Sequence, residues 1–244
     1  MELIGSSLER RICEIRKKIN DAAKKSGRKG KDITLIAVTK YVDDEMVRKS
    51  LELGLDNFGE SKAQGFLNKY ENVSNVNWHF IGRLQTNKVK YIVGKVCLVH
   101  SLDRIDLANE INRVANNRNL TVDTLVQINI SGDPTKAGIK PEYCEEFLEE
   151  LSKLKNIRVR GLMTIAPFIK KKGEITQNFA KLNKLFIDIT RKKIHNINMD
   201  YLSAGMTNDF EAAIEEGSNM VRIGTGLYGE RQCPEIATND NKMA

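Results

Sequence analysis

The chain has 244 residues, 41% of them hydrophobic and 29% charged, and a formal net charge of +7, which is typical of a globular protein with one large or two small domains. No apolar run reaches the roughly 20 residues that cross a bilayer, and the first residues lack the apolar core of a secretory signal. The four cysteines form no CxxC pair and have no metal-ligand spacing to the three histidines, so we expect neither a zinc site nor a disulfide scaffold, but a reduced, cytoplasmic protein.

Helix-like and strand-like segments alternate along the chain. Apolar residues from Leu8 to Ala22 recur at steps of three and four residues, which predicts an amphipathic N-terminal helix that ends at Gly27. Strands are predicted at 33–39, 55–58, 77–82, 96–100, 122–130, 158–163, 199–203 and 219–224. Helices are predicted at 43–53, 60–71, 85–93, 104–118, 141–154, 174–194, 208–217 and from about 226.

This strict alternation of eight strands with eight helices indicates a parallel sheet. Eight such units in a chain of this length favour a single (β/α)8 barrel of the TIM type, with the N-terminal helix as an addition. A doubly wound open sheet is the alternative. We assign residues 1–231 to one domain, because no Pro/Gly/Ser-rich linker interrupts them, and we expect residues 232–244 to form a flexible tail.

The stretch ITLIAVTKYV, residues 33–42, is an apolar strand that runs into Lys40. Catalytic groups of a barrel lie at the carboxyl ends of its strands, so this lysine would stand at the barrel mouth, partly desolvated. A partly desolvated amine is a nucleophile toward carbonyls and can form a Schiff base. The alternative is an ordinary strand-end lysine whose ammonium group reaches solvent.

The stretch MVRIGTGLYGE, residues 220–230, runs from an apolar strand into Gly224, Thr225 and Gly226. Exposed N–H groups of such a turn bind phosphate, and the loop after the eighth strand is a common phosphate site in barrels. A glycine-rich turn without a ligand is the alternative. GTGLYG also matches the dinucleotide pattern GxGxxG, but too few residues follow Gly229 for the further strand and acidic residue that this fingerprint needs.

Two more residues are candidates for the same site. Ser203 ends the seventh predicted strand, and its hydroxyl would donate to a phosphate across the mouth from Gly224, or would only cap or pack. Arg222 lies two residues before Gly224 and therefore shares its face of the strand. It would point into the barrel beneath a ligand held at Gly224.

Other polar groups carry weaker signals. We expect His79 and His100 to be core or rim residues rather than ligands, and Glu60 to lie in the first turn of a helix, where a carboxylate is favourable. The loop Lys136–Gly138 follows a strand end and is a candidate lid. The basic clusters are dispersed and have no aromatic residues between them, which disfavours nucleic-acid binding.

Several segments together resemble one family, the pyridoxal phosphate homeostasis proteins. They are AVTKYV, NFGESKAQ, WHFIGRLQTNKVK, VHSLDR, QINIS, RGLMTIAP and LSAGMTNDFEAAIEEGSNMVRIGTGLYGER, in this order from about residue 5 to 231. The resemblance implies a single (β/α)8 barrel related to the N-terminal domain of alanine racemases, with pyridoxal 5′-phosphate bound as an internal aldimine.

The resemblance also implies a role for individual residues. Lys40 matches the Schiff-base lysine, and Arg222 matches the arginine that faces the pyridine nitrogen and keeps it unprotonated. Asn57 matches a residue near the cofactor on the second strand. The phosphate-binding positions are matched by Ser203, Gly224 and Thr225.

Four positions depart from the usual pattern of the family. Arg83 stands where proline is common, Ser61 where asparagine is frequent, Ala137 where serine is usual, and Ala204 where methionine is common. All four are expected around the mouth, away from the lysine and the phosphate loop. The four departures therefore concern the surroundings of the cofactor, and its binding is expected to be retained.

The resemblance implies a protein of pyridoxal phosphate homeostasis that buffers or delivers the cofactor and influences amino-acid pools. Alanine racemases use a tyrosine from a second, β-rich domain, which we do not expect in this chain, so an amino-acid racemase-like enzyme with weak or one-base activity is the alternative. A cofactor-free barrel that binds anions or nucleic acid is a more distant one. We expect a monomer whose partners are pyridoxal phosphate and apo forms of enzymes that depend on it, with no nucleic acid, membrane or metal partner and no established catalytic residue.

Overall fold

Eight parallel strands form a closed barrel in the computed structural model of the protein, which describes residues 2–166 and 172–229. Each strand pairs with its neighbours in sequence, and β8 pairs with β1 to close the ring. The strands are β1 Thr34–Val38, β2 Asn57–Glu60, β3 Asn77–Phe80, β4 Leu98–Leu102, β5 Val122–Gln127, β6 Ile157–Met163, β7 Ile197–Ser203 and β8 Met220–Ile223. The prediction of a (β/α)8 barrel is therefore confirmed, and the open sheet is excluded.

Within the same described residues, helices follow the strands around the outside of the barrel. They are α1 Glu2–Lys25, α2 Asp44–Glu52, α3 Ala63–Asn72, α4 Val89–Ile92, α5 Ile105–Asn116, α6 Cys144–Ser152, α7 Lys172–Lys192, α8 Phe210–Glu215 and α9 Thr225–Tyr228. The predicted helix 85–93 is reduced to the single turn of α4, preceded by a 3-10 turn at Thr86–Lys88. The predicted tail, residues 232–244, lies outside the described residues.

The additional N-terminal helix is present as α1. It packs on α8 and α9, the helices before and after the last strand of the barrel. Its apolar stripe is buried at Leu8, Ile12, Ile15 and Ile19, as the three- and four-residue spacing predicts. This packing joins the N-terminal helix to α9, which begins directly after Gly224.

Most of the strands bury both of their faces, whereas β7 exposes Asn198 and Asp200. The outward side chains of the strands join the main core beneath the helices, and a separate apolar cluster occupies part of the barrel interior. That cluster consists of Ile36, Leu98, Leu125, Met163 and Met220. Strands buried on both faces carry nearly continuous apolar sequences, which is why the run before Lys40 contains few polar residues.

The structure corrects the prediction for Glu60. Glu60 is the last residue of β2, with only 1% of its surface exposed, and not the first turn of a helix. β2 continues beyond the predicted end because Gly59 and Glu60 remain paired with β3. A charge at the end of a strand was mistaken for a charge at the beginning of a helix.

Within residues 2–166 and 172–229, every helix is too short or too polar to cross a membrane.

Candidate functional site

A cavity of about 810 Å3 opens at the carboxyl ends of β8 and β1. Its walls include Val38 and Lys40 from the end of β1, and Arg222, Gly224 and Thr225 from the end of β8. Because these two strands close the barrel, residues from the first and last βα units lie side by side. This is the end of a barrel where catalytic and ligand-binding groups are found.

Lys40 enters the cavity from the end of β1. It follows β1 by two residues and lines the same cavity wall as Val38, the last residue of that strand. Its side chain is exposed, and Nζ lies 5.8 Å from the centroid of the Tyr41 ring. The expected partial desolvation is therefore not seen, because β1 ends at Val38 and the following turn lifts Lys40 above the barrel floor.

Arg222 lies at the bottom of the cavity and is 4% exposed. Its Nη1 donates to Ser203 Oγ at 2.6 Å and its Nη2 to the carbonyl oxygen of Thr164 at 2.8 Å. Burial lowers the pKa of Arg222 to about 10, against an opposing effect of Asp209. The guanidinium group therefore remains charged at neutral pH, although both of its hydrogen-bond partners are neutral.

A chain of hydrogen bonds crosses the barrel beneath Arg222. Ser203 Oγ lies 3.2 Å from His100 Nδ1, and His100 Nε2 lies 3.0 Å from His79 Nδ1. His79 Nε2 lies 3.0 Å from Asn57 Oδ1. The chain joins residues of β8, β7, β4, β3 and β2, and so spans the barrel interior.

The direction of each hydrogen bond in this chain follows from the residues at its two ends, Asn57 and Arg222. Asn57 Nδ2 donates to Asp56 Oδ1 at 2.8 Å, which leaves its Oδ1 to accept from His79. His79 then carries its proton on Nε2 and accepts at Nδ1 from His100. His100 in turn accepts at Nδ1 from the Ser203 hydroxyl. The oxygen of Ser203 is thereby left to accept from the charged arginine.

Both histidines are buried, as expected from the sequence, and both are neutral at neutral pH. Burial lowers the pKa of His79 to about 4. Burial, together with the proximity of His79 and of the Arg222 charge, lowers the pKa of His100 well below its usual value. Sequence reasoning found their burial and missed their contact with each other, since 20 residues of chain lie between them.

Sequence reasoning also missed an ion pair behind Lys40. Glu60 and Lys69 form a salt bridge with 2% and 9% of their side chains exposed. Lys69 lies on the core face of α3, three residues after the buried Phe66 and four before the buried Val73. A lysine in the apolar stripe of a helix was the available signal, because such a charge needs a partner.

The structure brings four of the six predicted site residues to one cavity: Lys40, Arg222, Gly224 and Thr225. Thr225 is exposed at the start of α9, and its Oγ1 donates to Thr207 Oγ1 at 3.1 Å. Ser203 is fully buried, one hydrogen bond below the cavity wall.

Asn57 lies at the opposite end of the barrel. It is the first residue of β2 and lines a second cavity, of about 520 Å3, together with Asp56 and the start of β1. It reaches Arg222 only through the hydrogen-bonded chain of His79, His100 and Ser203. Its expected direct contact with a ligand stays a prediction.

The positions that depart from the family pattern lie in different surroundings. Ser61 and Arg83 line a third cavity, of about 350 Å3, beyond the ends of β2 and β3. Ala137 O accepts from Gln127 Nε2 at 3.0 Å, so the candidate lid loop is attached to β5. Ala204 is buried directly after β7. None of the four is in the wall of the mouth cavity.

Among the described residues, no three His, Cys, Asp or Glu side chains come close enough to hold a metal ion.

Known sequences match this chain over almost its whole length. Residues 13–232 match the family model described as alanine racemase, N-terminal domain. A pyridoxal phosphate homeostasis protein of Aquifex aeolicus is 43% identical over 224 residues, which are 91% of this chain and 97% of that protein. A protein of the same name in Escherichia coli K12 is 34% identical over 90% of this chain and 95% of its own length.

Solved structures share the fold. A protein from Bifidobacterium adolescentis described as unknown has a TM-score of 0.89 at 29% identity, covering 93% of this chain and 96% of its own. PipY of Synechococcus elongatus PCC7942, solved with PLP bound, has a TM-score of 0.79 at 27% identity, covering 91% of this chain and 100% of its own. An alanine racemase of Clostridium difficile, at 18% identity and a TM-score of 0.71, shares the fold over 94% of this chain and 58% of its own.

Proposed function

Because this chain belongs to the family of pyridoxal phosphate homeostasis proteins, we propose that it holds pyridoxal 5′-phosphate in the mouth cavity and buffers or delivers it. The observation that carries the proposal is the position of Lys40 and the buried, charged Arg222 in one cavity. The cavity offers a primary amine for an aldehyde, a guanidinium group for a pyridine nitrogen, and a glycine turn for a phosphate. The donors of the cavity therefore fit the three functional groups of this cofactor.

Lys40 is proposed to bind the cofactor's aldehyde. When bound, the cofactor supplies an aldehyde carbon that condenses with a primary amine with loss of water, and a conjugated ring that withdraws electrons. Lys40 needs no rearrangement of the barrel to reach its ligand, because its side chain is exposed within the cavity.

Arg222 is proposed to face the pyridine nitrogen. A guanidinium group donates hydrogen bonds and does not accept them, so it would donate to this nitrogen and leave the nitrogen without a proton. Ser203 and Thr164 hold the guanidinium group at two of its nitrogens. The ring is then a weaker electron sink, which favours holding the cofactor over proton abstraction from an amino acid.

Gly224 and Thr225 are proposed to bind the phosphate, at the beginning of α9. The direct phosphate contact expected for Ser203 stays a prediction, as do the monomeric state, the cytoplasmic location and the transfer to apo-enzymes. The contacts seen for Ser203 and Asn57 support Arg222 through the chain of hydrogen bonds.

The proposed function is tested by mapping the attachment site. The protein is incubated with pyridoxal phosphate, reduced with borohydride, digested, and analysed by mass spectrometry. We expect the added mass on Lys40, at one equivalent per chain, because this lysine shares its cavity with Arg222. Labelling of other lysines at comparable yield, with Lys40 unmodified, would refute the proposal.

Replacement of Thr225 by valine tests the phosphate site. The variant removes one hydroxyl donor and keeps the size of the side chain, so we expect roughly tenfold weaker binding of pyridoxal phosphate, the loss of one charge-assisted hydrogen bond. Binding of pyridoxal, which lacks the phosphate, is expected to stay unchanged, and absorbance titrations measure both. An equal loss for both ligands would place the phosphate elsewhere.

A further inference from the structure

A buried ion pair lies directly behind the segment that carries Lys40. Glu60 and Lys69 are both buried, and their side chains form a salt bridge. Lys69 Nζ also donates to the carbonyl oxygen of Thr39 at 2.8 Å. This oxygen belongs to the peptide bond between Thr39 and Lys40, so the ammonium group holds the backbone where Lys40 leaves the barrel.

The carboxylate of the pair holds the same residue by its side chain. Thr39 Oγ1 donates to Glu60 Oε1 at 3.1 Å. The carbonyl oxygen of Thr39 also accepts from the backbone N–H groups of Tyr41, at 2.7 Å, and Val42, at 2.9 Å, which closes a tight turn around Lys40. The carbonyl group and the hydroxyl group of Thr39 are therefore both bound to the ion pair.

Stability alone does not account for this arrangement. A buried ion pair loses the hydration of two charges, and apolar residues of similar size are often at least as stabilising. Lys69 occupies a position on the core face of α3 between Phe66 and Val73, where an apolar side chain would pack. What the charges add are hydrogen bonds of fixed direction to the backbone carbonyl and the hydroxyl group of Thr39, the residue before Lys40.

We infer that Glu60 and Lys69 are positioning residues for Lys40, which fix the direction of its side chain into the mouth cavity. This inference rests on the proposed function, in which Lys40 bonds to the cofactor. It assigns a role to two residues that lie outside the cavity wall. The pair is expected to affect the rate of covalent attachment more than the affinity for the phosphate and the ring.

The test uses the double variant Glu60→Gln/Lys69→Met, because removing both charges leaves neither one buried without a partner. We expect the rate of covalent attachment of pyridoxal phosphate to Lys40 to fall roughly tenfold, since a misdirected nucleophile loses its productive orientation. Attachment is followed by absorbance and by borohydride trapping. Binding of pyridoxine 5′-phosphate, which has no aldehyde, is expected to be unchanged.

Amide hydrogen exchange gives a readout that needs no cofactor. We expect faster exchange at the backbone N–H groups of Tyr41 and Val42 in the double variant, and unchanged exchange in α5. Ile111→Val is the control, because it removes a buried methyl group in α5 away from Lys40. It should leave the attachment rate unchanged.

Attachment at the wild-type rate in the folded double variant would overturn the inference, and so would an equal loss of pyridoxine 5′-phosphate binding. If Lys40 of the wild-type protein is not labelled, the proposed function fails as well, and the wild-type experiment shows this separately. Should the double variant not fold, Lys69→Arg serves in its place, since it keeps the charge and alters the donor to Thr39. Slower attachment in that variant supports the inference, and an unchanged rate opposes it.

Discussion

Replacement of Lys40 by alanine is expected to abolish covalent attachment of pyridoxal phosphate and to weaken its apparent affinity by about a hundredfold or more. The variant removes the amine that bonds to the aldehyde, while Arg222, Gly224 and Thr225 remain in the cavity wall. What is left is binding through the phosphate and the ring, which dissociates freely. Equilibrium titration followed by absorbance, with borohydride trapping at saturation, measures both effects.

Lys25→Ala is the matched control for this prediction. Lys25 lines the same cavity, but its Nζ is paired with Glu215 Oε1 at 2.7 Å. The control should retain attachment at one equivalent per chain. Undiminished affinity in Lys40→Ala, or loss of attachment in Lys25→Ala, would contradict the assignment of Lys40.

The protein is expected to lose stability as the pH falls from about 6.5 to about 4, because His79 is buried in its neutral form. Its pKa is about 4 in the folded protein, against the ordinary value of 6.5 that a histidine has in an unfolded chain. Over this interval the unfolded chain binds a proton that the folded protein does not, so acid favours unfolding. The difference between these two pKa values lowers the free energy of unfolding by roughly 3 kcal/mol at pH 4. His100 adds an effect of the same sign.

Urea unfolding at a series of pH values measures this loss. His79→Gln keeps a hydrogen-bonding side chain and removes the titration, so its free energy of unfolding should fall less steeply over the same interval. His195, which is exposed, provides the control variant His195→Gln. Its free energy of unfolding should fall with pH as steeply as that of the wild-type protein. If the free energy of unfolding of His79→Gln fell with pH as steeply as that of the wild-type protein, this histidine would not be the group that takes up a proton on unfolding.

Within the barrel, the sequence predicted well what depends on neighbouring residues. The strand before Lys40 is recognisable because both of its faces are buried and its residues are apolar throughout. The N-terminal helix follows from its apolar spacing, and the glycine turn at Gly224 follows from its own composition. The family resemblance added the identity of the cofactor and proposed residues for it, of which Asn57 lies at the far end of the barrel.

The partners of the polar residues were decided by the tertiary structure alone. Arg222 reaches Thr164 across 58 positions of the chain, and Ser203 meets His100 across 103. Such pairs form only when the barrel closes and its strands bring distant residues to the same height. The sequence therefore determined the barrel, its mouth and the lysine placed there. Closure of the barrel decided which buried groups hold that lysine and Arg222 in place, because hydrogen bonds depend on distances in space rather than along the chain.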